Sequence, residues 1–202
     1  MIKKNKKKLL LSCAVILLPM IIGLLLWNKL PETMPAHWNS SGTVDGWSSK
    51  LVAVFCTPLL LLVVHLICIF ITAADPKNHN QNKKAFGLVF WICPLACLFS
   101  ETVMYSTALG IEFSMDIVML IVLGLMFIII GNYLPKCKQN YTIGIKISWT
   151  LNNEENWNKT HRFAGKVWVI GGLLFIVCAF LPVDVIPYVL IVLILAIALI
   201  PI

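Results

Sequence analysis

Two ionisable side chains lie inside long apolar runs of this sequence, where a charge is costly. Glu101 sits in one run beside Ser100 and Thr102, with Tyr105 one helical turn further on. A carboxylate in hydrocarbon costs several kcal/mol on most estimates, so we expect Glu101 to face a bundle interior and to be paired or protonated. It could line a water-filled pocket beneath an outer loop. His65 lies in another run, about 12 Å away in depth at a rise of ~1.5 Å per residue, which is too far for direct pairing.

Catalytic and metal-binding motifs are absent from the sequence. There is no His-Glu-x-x-His, no Gly-x-Ser-x-Gly and no phosphate-cradling glycine loop. An intramembrane protease needs paired acids, or several Glu and His residues, at similar depth, and Glu101 and His65 do not provide them. His37 and Asp45 share a loop, but two candidate ligands without a third make a weak metal site. We therefore expect no enzymatic activity, no metal and no cofactor.

Long apolar segments are the elements that position these residues. Of the 202 residues, 59% are hydrophobic and 12% are charged, whereas a soluble domain carries roughly a quarter charged residues. A run of about 20 apolar residues matches the hydrocarbon core, where a helix satisfies its own backbone groups. The sequence therefore predicts an all-α, polytopic membrane protein with six transmembrane helices. These are residues 9–27, 51–73, 85–108, 117–131, 165–181 and 183–202.

The first and fourth of these segments are atypical. The first follows a lysine-rich tail, as in a signal peptide, but no small-residue cleavage site comes after it. We therefore expect an uncleaved helix. The fourth is short for a full span, and we expect it to begin earlier, near Ser114.

The basic residues are distributed unevenly between the loops. Fourteen of the sixteen lie in the N-terminal tail, in the second loop, and in the fourth loop with the start of the fifth helix; only Lys29 and Lys50 lie on the other side. Because short cytoplasmic loops carry the excess of Lys and Arg, both termini are predicted to be cytoplasmic (N-in, C-in). The net charge of +7 then serves topology and contacts with the lipid bilayer, and we expect no direct nucleic-acid binding.

Residues 28–50 form the predicted extracellular loop, which we expect to be an ordered cap on the outer leaflet. Residues 39–42 and Asp45 with Gly46 favour turns, while two tryptophans suit the membrane–water interface. An extracellular ligand or toxin could bind this surface. The candidate residues for that side are His37, Trp38, Asn39, Asp45, Trp47 and Glu101.

Residues 132–164 form the predicted cytoplasmic loop. Pro135 is expected to stop the fourth helix, and residues 141–149 are expected to form an extended segment on the inner leaflet. A helix is then predicted to begin at Asn152, whose side chain caps it while Glu155 takes the third helical position. That helix is expected to run on into the fifth span.

Two interpretations of this inner loop stay open. Glu155 with Lys159, and Trp157 with His161, are spaced to share helix faces. The loop could be an interfacial elbow before a transmembrane helix, anchored by Trp149 and Trp157, and composition alone favours this interpretation. It could also be a docking surface for a cytoplasmic partner.

Both loops carry a recognisable set of residues. In the inner loop these are Gly131, Asn132, Pro135, Asn140, Gly144, Ile145, Lys146, Trp149, Thr150, Leu151, Trp157, Thr160, His161 and Arg162. In the outer loop they are Leu30, Pro31, Pro35, His37, Trp38, Asn39, Gly42, Asp45, Gly46 and Lys50. The first set resembles the signature of the SdpI family, and the second is similar to a small domain of unknown function that often precedes it. Lys146 stands where the family commonly has Arg, which keeps the charge but loses the planar fork, and Ser148 stands where Pro is common.

The resemblance implies a multi-pass protein of the bacterial plasma membrane with immunity and signalling roles. It implies protection against a secreted peptide toxin outside and retention of a small winged-helix transcriptional repressor at the membrane inside. The chain would comprise a first helix pair with its extracellular loop (residues 1–75) and a four-helix region with the cytoplasmic loop (residues 76–202). The competing interpretation is a small-molecule permease or transporter accessory subunit, for which the spans contain few polar residues. Candidate contacts for the cytoplasmic partner are Asn140, Lys146, Trp149, Thr150, Trp157, Thr160, His161 and Arg162.

Overall fold

The computed structural model describes residues 2–39, 41–77, 83–182 and 185–201, without the side chains at positions 3, 4 and 83–86. These residues form seven α-helices and one pair of β-strands. In chain order the elements are α1 (Lys6–Leu25), β1 (Thr33–Trp38), β2 (Val44–Ser49), α2 (Thr57–Ala74), α3 (Lys83–Ala108), α4 (Met115–Tyr133), α5 (Ser148–Asn152), α6 (Glu154–Cys178) and α7 (Ile186–Leu199). A π-helical segment, Val52–Cys56, leads into α2.

Five helical stretches of the described chain are long and apolar enough to cross a membrane. They are Lys6–Leu25, Val52–Ala74, Gly87–Ala108, Met115–Lys136 and Glu154–Cys178. They confirm five of the six predicted segments in length and composition, and α4 begins directly after Ser114 as expected. The helix α7 has 14 residues, a rise of about 21 Å against a hydrocarbon core of about 30 Å. The predicted sixth segment also includes residues 183, 184 and 202, which lie outside the described residues.

The chain divides into two compact units. One contains Met1–Ala74 and Phe86–Phe113, and the other contains Asp75–Ala85 and Ser114–Ile202. The first unit thus includes most of α3 together with the first helix pair. The predicted division after residue 75 stays a prediction.

In the first unit, α1 buries one narrow stripe. Its buried residues, Ser12, Ile16, Pro19 and Gly23, recur at the three- and four-residue spacing that places side chains on one helix face. A Cβ atom at Gly23 would lie 2.6 Å from the hydroxyl of Tyr105 and 2.7 Å from Val54. The Tyr105 hydroxyl donates a hydrogen bond to the carbonyl oxygen of Pro19 (3.1 Å). These contacts hold α1 closely against α3 and the start of the second span.

An antiparallel β-hairpin occupies most of residues 28–50, so the prediction of an all-α fold is wrong for this segment. The strands β1 and β2 pair from Thr33 opposite Ser49 to Trp38 opposite Val44, with an irregular register around His37. The Asn39 side chain builds the turn, because its Oδ1 accepts from the backbone amides at 41 and 43 (both 3.0 Å). Such side-chain capping stabilises tight turns, and it sets where the chain reverses.

In the second unit, α4 and α6 meet through glycines. A Cβ atom at Gly172 would lie 2.5 Å from the carbonyl oxygen of Gly124, and one at Gly165 would lie 2.7 Å from that of Gly131. On each helix the two glycines are seven residues apart, or about two helical turns. The close contact therefore extends along both helices. Small residues allow such backbone approach between membrane helices. The helix α7 packs on α6 where Ile197 covers Gly171.

Candidate functional surfaces

The β-hairpin exposes part of the predicted ligand-side set. The side chains of His37 and Asp45 are hydrogen-bonded across the strands, and they are 70% and 44% exposed. The Trp47 ring is also exposed. Trp38 instead packs against the buried cluster around Met34, and Asn39 is occupied by the turn. Three of the five hairpin candidates are therefore exposed.

A groove of ≈ 490 Å³ runs between the hairpin and the end of α3. Its lining residues are Trp38, Gly42, Thr43 and Val44 from the hairpin, and Thr107, Gly110, Ile111, Glu112 and Phe113 from the α3 end. Ile111 is more than half exposed, and Glu112 supplies a carboxylate. The groove therefore offers apolar, aromatic and acidic surface to one ligand. The contribution of residues 107–113 could not be predicted from sequence, because it depends on how the hairpin folds against the end of α3.

Glu101 is buried, as predicted, but it does not line this groove. Neither carboxyl oxygen has a hydrogen-bond partner among the described residues. The Tyr105 hydroxyl lies close enough to interact with the carboxyl, yet its hydrogen bond goes to the carbonyl oxygen of Pro19. Glu101 is thus a sealed acid within the first unit.

His65 is fully buried and pairs with Ser12, a partner that the sequence analysis missed. The Ser12 hydroxyl donates to the carbonyl oxygen of Leu9 (2.9 Å), which leaves its oxygen to accept from Nε2 of His65 (2.9 Å). Nδ1 then carries a lone pair without a partner. This tautomer avoids a buried unpaired N–H donor, whose desolvation is costly. His65 therefore joins α1 to α2.

Lys50, at the end of the hairpin, was also missed as a structural residue. Only 6% of its side chain is exposed. Its Nζ donates to Glu32 (2.9 Å) and to the carbonyl oxygen of Trp27 (3.1 Å), and it lies 5.1 Å from the Trp27 ring centroid. Burying a charge is tolerated when it is paired and hydrogen-bonded. Lys50 thus fixes the hairpin to the end of α1.

The elbow, which we define as residues 137–162, is centred on a buried stack of two aromatic rings. Trp157 and His161 lie on one face of α6 with ring centroids 4.0 Å apart, as predicted. The Trp157 indole N–H donates to the carbonyl oxygen of Cys137 (2.8 Å). His161 donates from Nδ1 to the Trp157 carbonyl oxygen (2.8 Å) and accepts at Nε2 from the amide of Ile145 (3.0 Å). Burial raises the pKa of the Cys137 thiol to about 11, so it stays protonated near neutral pH.

Two further candidates for partner contacts are internal to the elbow. Asn140 and Thr150 are fully buried. Oδ1 of Asn140 accepts from the amides at 142 and 143, and the Thr150 hydroxyl donates to the carbonyl oxygen of Ile145 (2.8 Å). Gly144 adopts φ 114°, and a Cβ atom there would overlap the His161 ring. These residues hold the loop in shape.

The structure corrects two details of this loop. Residues 148–152 form the short helix α5, so the extended segment predicted for 141–149 does not include Trp149. The cap of α6 is Asn153, whose side chain accepts from the amide of Asn156 (3.0 Å), and not Asn152. The Glu155–Lys159 ion pair (2.7 Å) is confirmed, as is the continuation of this helix into the fifth span.

Asp75 is the residue that sequence reasoning missed most completely. Its carboxylate accepts from the amide of Tyr141 (2.7 Å), the hydroxyl of Thr142 (3.1 Å) and the amide of Lys77 (2.9 Å). It is buried, although it directly follows α2 in the chain. A single Asp before a proline gives no signal of such a role, because two of its three partners lie more than 60 residues away.

We expect Asp75→Ala to loosen the elbow selectively. The substitution removes the acceptor of the part-buried Tyr141 and Lys77 amides, and an unsatisfied amide costs up to about 1–3 kcal/mol. Hydrogen–deuterium exchange at the amide of Tyr141 should therefore accelerate, while exchange in α1 stays unchanged. Asp45→Ala, which removes an exposed carboxylate, is the matched control. Unaltered exchange at Tyr141 in the Asp75 variant would contradict the assigned role.

The exposed candidates of the elbow are fewer than predicted. Lys146, Trp149 and Arg162 are exposed and Thr160 is half-buried. The others, Asn140, Thr150, Trp157 and His161, are buried. Among the described residues, no three His, Cys, Asp or Glu side chains come together as a metal site.

Comparisons with known proteins agree with the two loop signatures. Residues 136–202 match the SdpI/YfhL protein family, and residues 14–62 match a domain of unknown function, DUF1648. The chain is 30% identical over 191 residues to Immunity protein SdpI of Bacillus subtilis (strain 168), an alignment that covers 94% of this chain and 89% of that protein. No solved structure matches the chain significantly. With its membrane-length helices, the chain is a multi-pass bacterial membrane protein. It belongs to the SdpI/YfhL protein family.

Proposed function

We propose that this protein is an immunity protein of the bacterial plasma membrane that protects its cell against a secreted peptide toxin. The similarity to Immunity protein SdpI along 94% of the chain carries the proposal. The protein acts without catalysis, with six spans and both termini in the cytoplasm. In this arrangement the hairpin faces outward and the elbow faces inward, in keeping with the distribution of lysines.

The toxin binds the hairpin and its groove. The exposed Trp47 and the Ile111 side chain supply apolar contact area, and aromatic side chains commonly dominate binding energy at interfaces. Two strands leave two open edges, to which an extended peptide can add by backbone hydrogen bonding. Glu112 and the His37–Asp45 pair supply polar contacts at the rim. Glu101 is sealed, so it would meet the toxin only if α1 and α3 separated.

A protection assay tests this surface. A sensitive bacterium expressing the protein is challenged with the secreted peptide fraction of the source bacterium. Trp47→Ala with Glu112→Ala is expected to lower the protective threshold about tenfold, since 1.4 kcal/mol of lost binding gives that factor. The control is Trp149→Ala, which alters a similarly exposed ring on the elbow, with membrane levels of all variants matched. Full protection by the double variant would reject this binding site.

We further propose that the elbow holds a small winged-helix repressor at the membrane when toxin is bound. Lys146 and the exposed Trp149 form the docking surface, whereas the buried Trp157 and His161 keep it in shape. The chain connects the two units at residues 74–75, 85–86 and 113–114, through which a rearrangement started by toxin would pass.

Repressor capture tests this second role. Membranes containing the protein are mixed with the purified candidate repressor, with and without the secreted peptide fraction, and sedimented. Trp149→Ala should abolish peptide-dependent capture while leaving protection intact. Lys138→Ala, which removes another cation of the same loop, is the matched control. Equal capture by the Trp149 variant and the unaltered protein would exclude this docking surface.

A further inference from the structure

The helix α6 changes from polar to apolar at a sharp boundary, which lies after its first three turns. Charged residues run from Glu154 to Lys166, and the following stretch, residues 167–178, contains no charge. Lipid head groups lie at such boundaries, because the hydrocarbon core accepts only the apolar part of a helix. Arg162 and Lys166 are the last two charges before the apolar stretch.

A groove of ≈ 650 Å³ lies on this part of α6. Its charges are ordered along the helix. Glu154 and Glu155 lie at the start, and Arg162 and Lys166 at the end next to the apolar stretch. Residues 154 and 162 differ by about 12 Å in helix rise, so the acidic end lies away from the head groups. This order suits an anion that enters from the membrane side.

The two cations at the membrane-proximal end remain uncompensated. Glu155 is paired with Lys159 (2.7 Å), whereas neither Arg162 nor Lys166 forms an ion pair among the described residues. Their i, i+4 spacing places them on one helix face, about 6 Å apart at the Cβ atoms. A guanidinium and an ammonium at that separation can share one phosphate, with the guanidinium donating two hydrogen bonds.

An apolar ring completes this site. Phe163 lines the same groove and is half exposed. A soluble phosphate gains nothing from that surface, but the acyl chains of a phospholipid bury it. The ligand that fits is therefore anionic at one end and apolar at the other.

We propose that Arg162, Lys166 and Phe163 form a binding site for the head group of an anionic phospholipid. The phosphate lies between the two cations, and the acyl chains run along Phe163 toward the apolar stretch of α6. This site is separate from the exposed docking residues Lys146 and Trp149, and it requires neither a toxin nor a repressor.

Native mass spectrometry of the purified full-length protein tests the site. Micelles are doped with dioleoyl-phosphatidylglycerol or with dioleoyl-phosphatidylcholine, and bound lipid is counted. The unaltered protein should retain phosphatidylglycerol in preference to phosphatidylcholine. Arg162→Ala/Lys166→Ala should bind phosphatidylglycerol at least about tenfold more weakly, since each basic residue near an anionic surface contributes about fivefold.

Three controls distinguish specific lipid binding from general charge attraction, misfolding and binding of free phosphate. Lys138→Ala/Lys146→Ala removes two basic residues elsewhere in the loop and should retain phosphatidylglycerol. Thermal unfolding of each variant in lipid-free detergent checks the fold. Added inorganic phosphate should not displace the lipid, and its displacement would point to a phosphate site without lipid specificity. Equal retention by the Arg162/Lys166 variant, or equal binding of both lipids, would overturn the proposal.

Discussion

Gly172→Leu is expected to prevent α4 and α6 from packing and to destabilise the second unit more than any other single change. A Cβ atom at this position would already lie 2.5 Å from the carbonyl oxygen of Gly124 and 2.9 Å from the amide nitrogen of Ile128. Backbone atoms cannot rotate away as a flexible side chain can, so the helices must separate. Overpacking costs typically 1–3 kcal/mol and occasionally more, and we expect at least about 3 kcal/mol here.

Thermal unfolding of the purified protein in detergent measures this effect. A loss of about 3 kcal/mol corresponds to a Tm decrease of about 6–12 °C in a chain of this size. Gly87→Leu is the matched control, because a Cβ atom at Gly87 in α3 meets none of the described side chains or backbone atoms within 4 Å. The close α4–α6 contact would be disproved if the two leucine variants unfolded at the same temperature.

Trp157→Ala is expected to be the second most damaging change, with its effect concentrated in the elbow. The ring is fully buried, it stacks on His161, and its N–H satisfies the carbonyl oxygen of Cys137. Truncating a buried tryptophan to alanine costs about 3–5 kcal/mol. The unpaired carbonyl and the released imidazole should let residues 137–152 open.

Limited proteolysis of membrane vesicles, with cleavage mapped by mass spectrometry, detects that opening. Trp157→Ala should be cut within residues 137–152 at least tenfold faster than the unaltered protein. Trp149→Ala removes the same side chain from an exposed position and should be cut at the unaltered rate. Similar cleavage rates for the two variants would mean that Trp157 does not hold the elbow together. Trp157→Phe, which keeps part of the packing, should fall between them.

The membrane-length helices could be predicted because apolar length alone determines them. Five predicted segments match helices, and even the early start of α4 at Met115 follows from the need for a longer span. The hairpin could not be predicted in the same way. Its strands contain Pro35 and Gly46, residues that are unfavourable in strands, and its pairing depends on the Asn39 turn and on packing against Met34.

For the candidate surfaces, contact residues could be predicted from sequence but their exposure could not. The motif residues Trp157, His161, Asn140 and Thr150 are grouped in space, yet they are buried and hold the elbow from within. A signature shows residue type and spacing, whereas exposure depends on the folded chain around it. Asp75 illustrates the reverse case, because two of its three acceptor contacts join residues far apart in sequence.

The glycine contacts between α4 and α6 also constrain how the protein is made. Gly124 and Gly131, the glycines of α4 that contact α6, have both left the ribosome 34 residues before Gly165 does. At roughly 5–20 residues per second, α6 follows after roughly 2–7 s. During that interval α4 lies in the bilayer or at the insertion machinery without α6. Its contact face must then be covered by lipid or by another protein. Assembly of this unit is therefore set by the order of synthesis, and slowing translation between the two helices should prolong the stage at which α4 is open to chaperones or degradation.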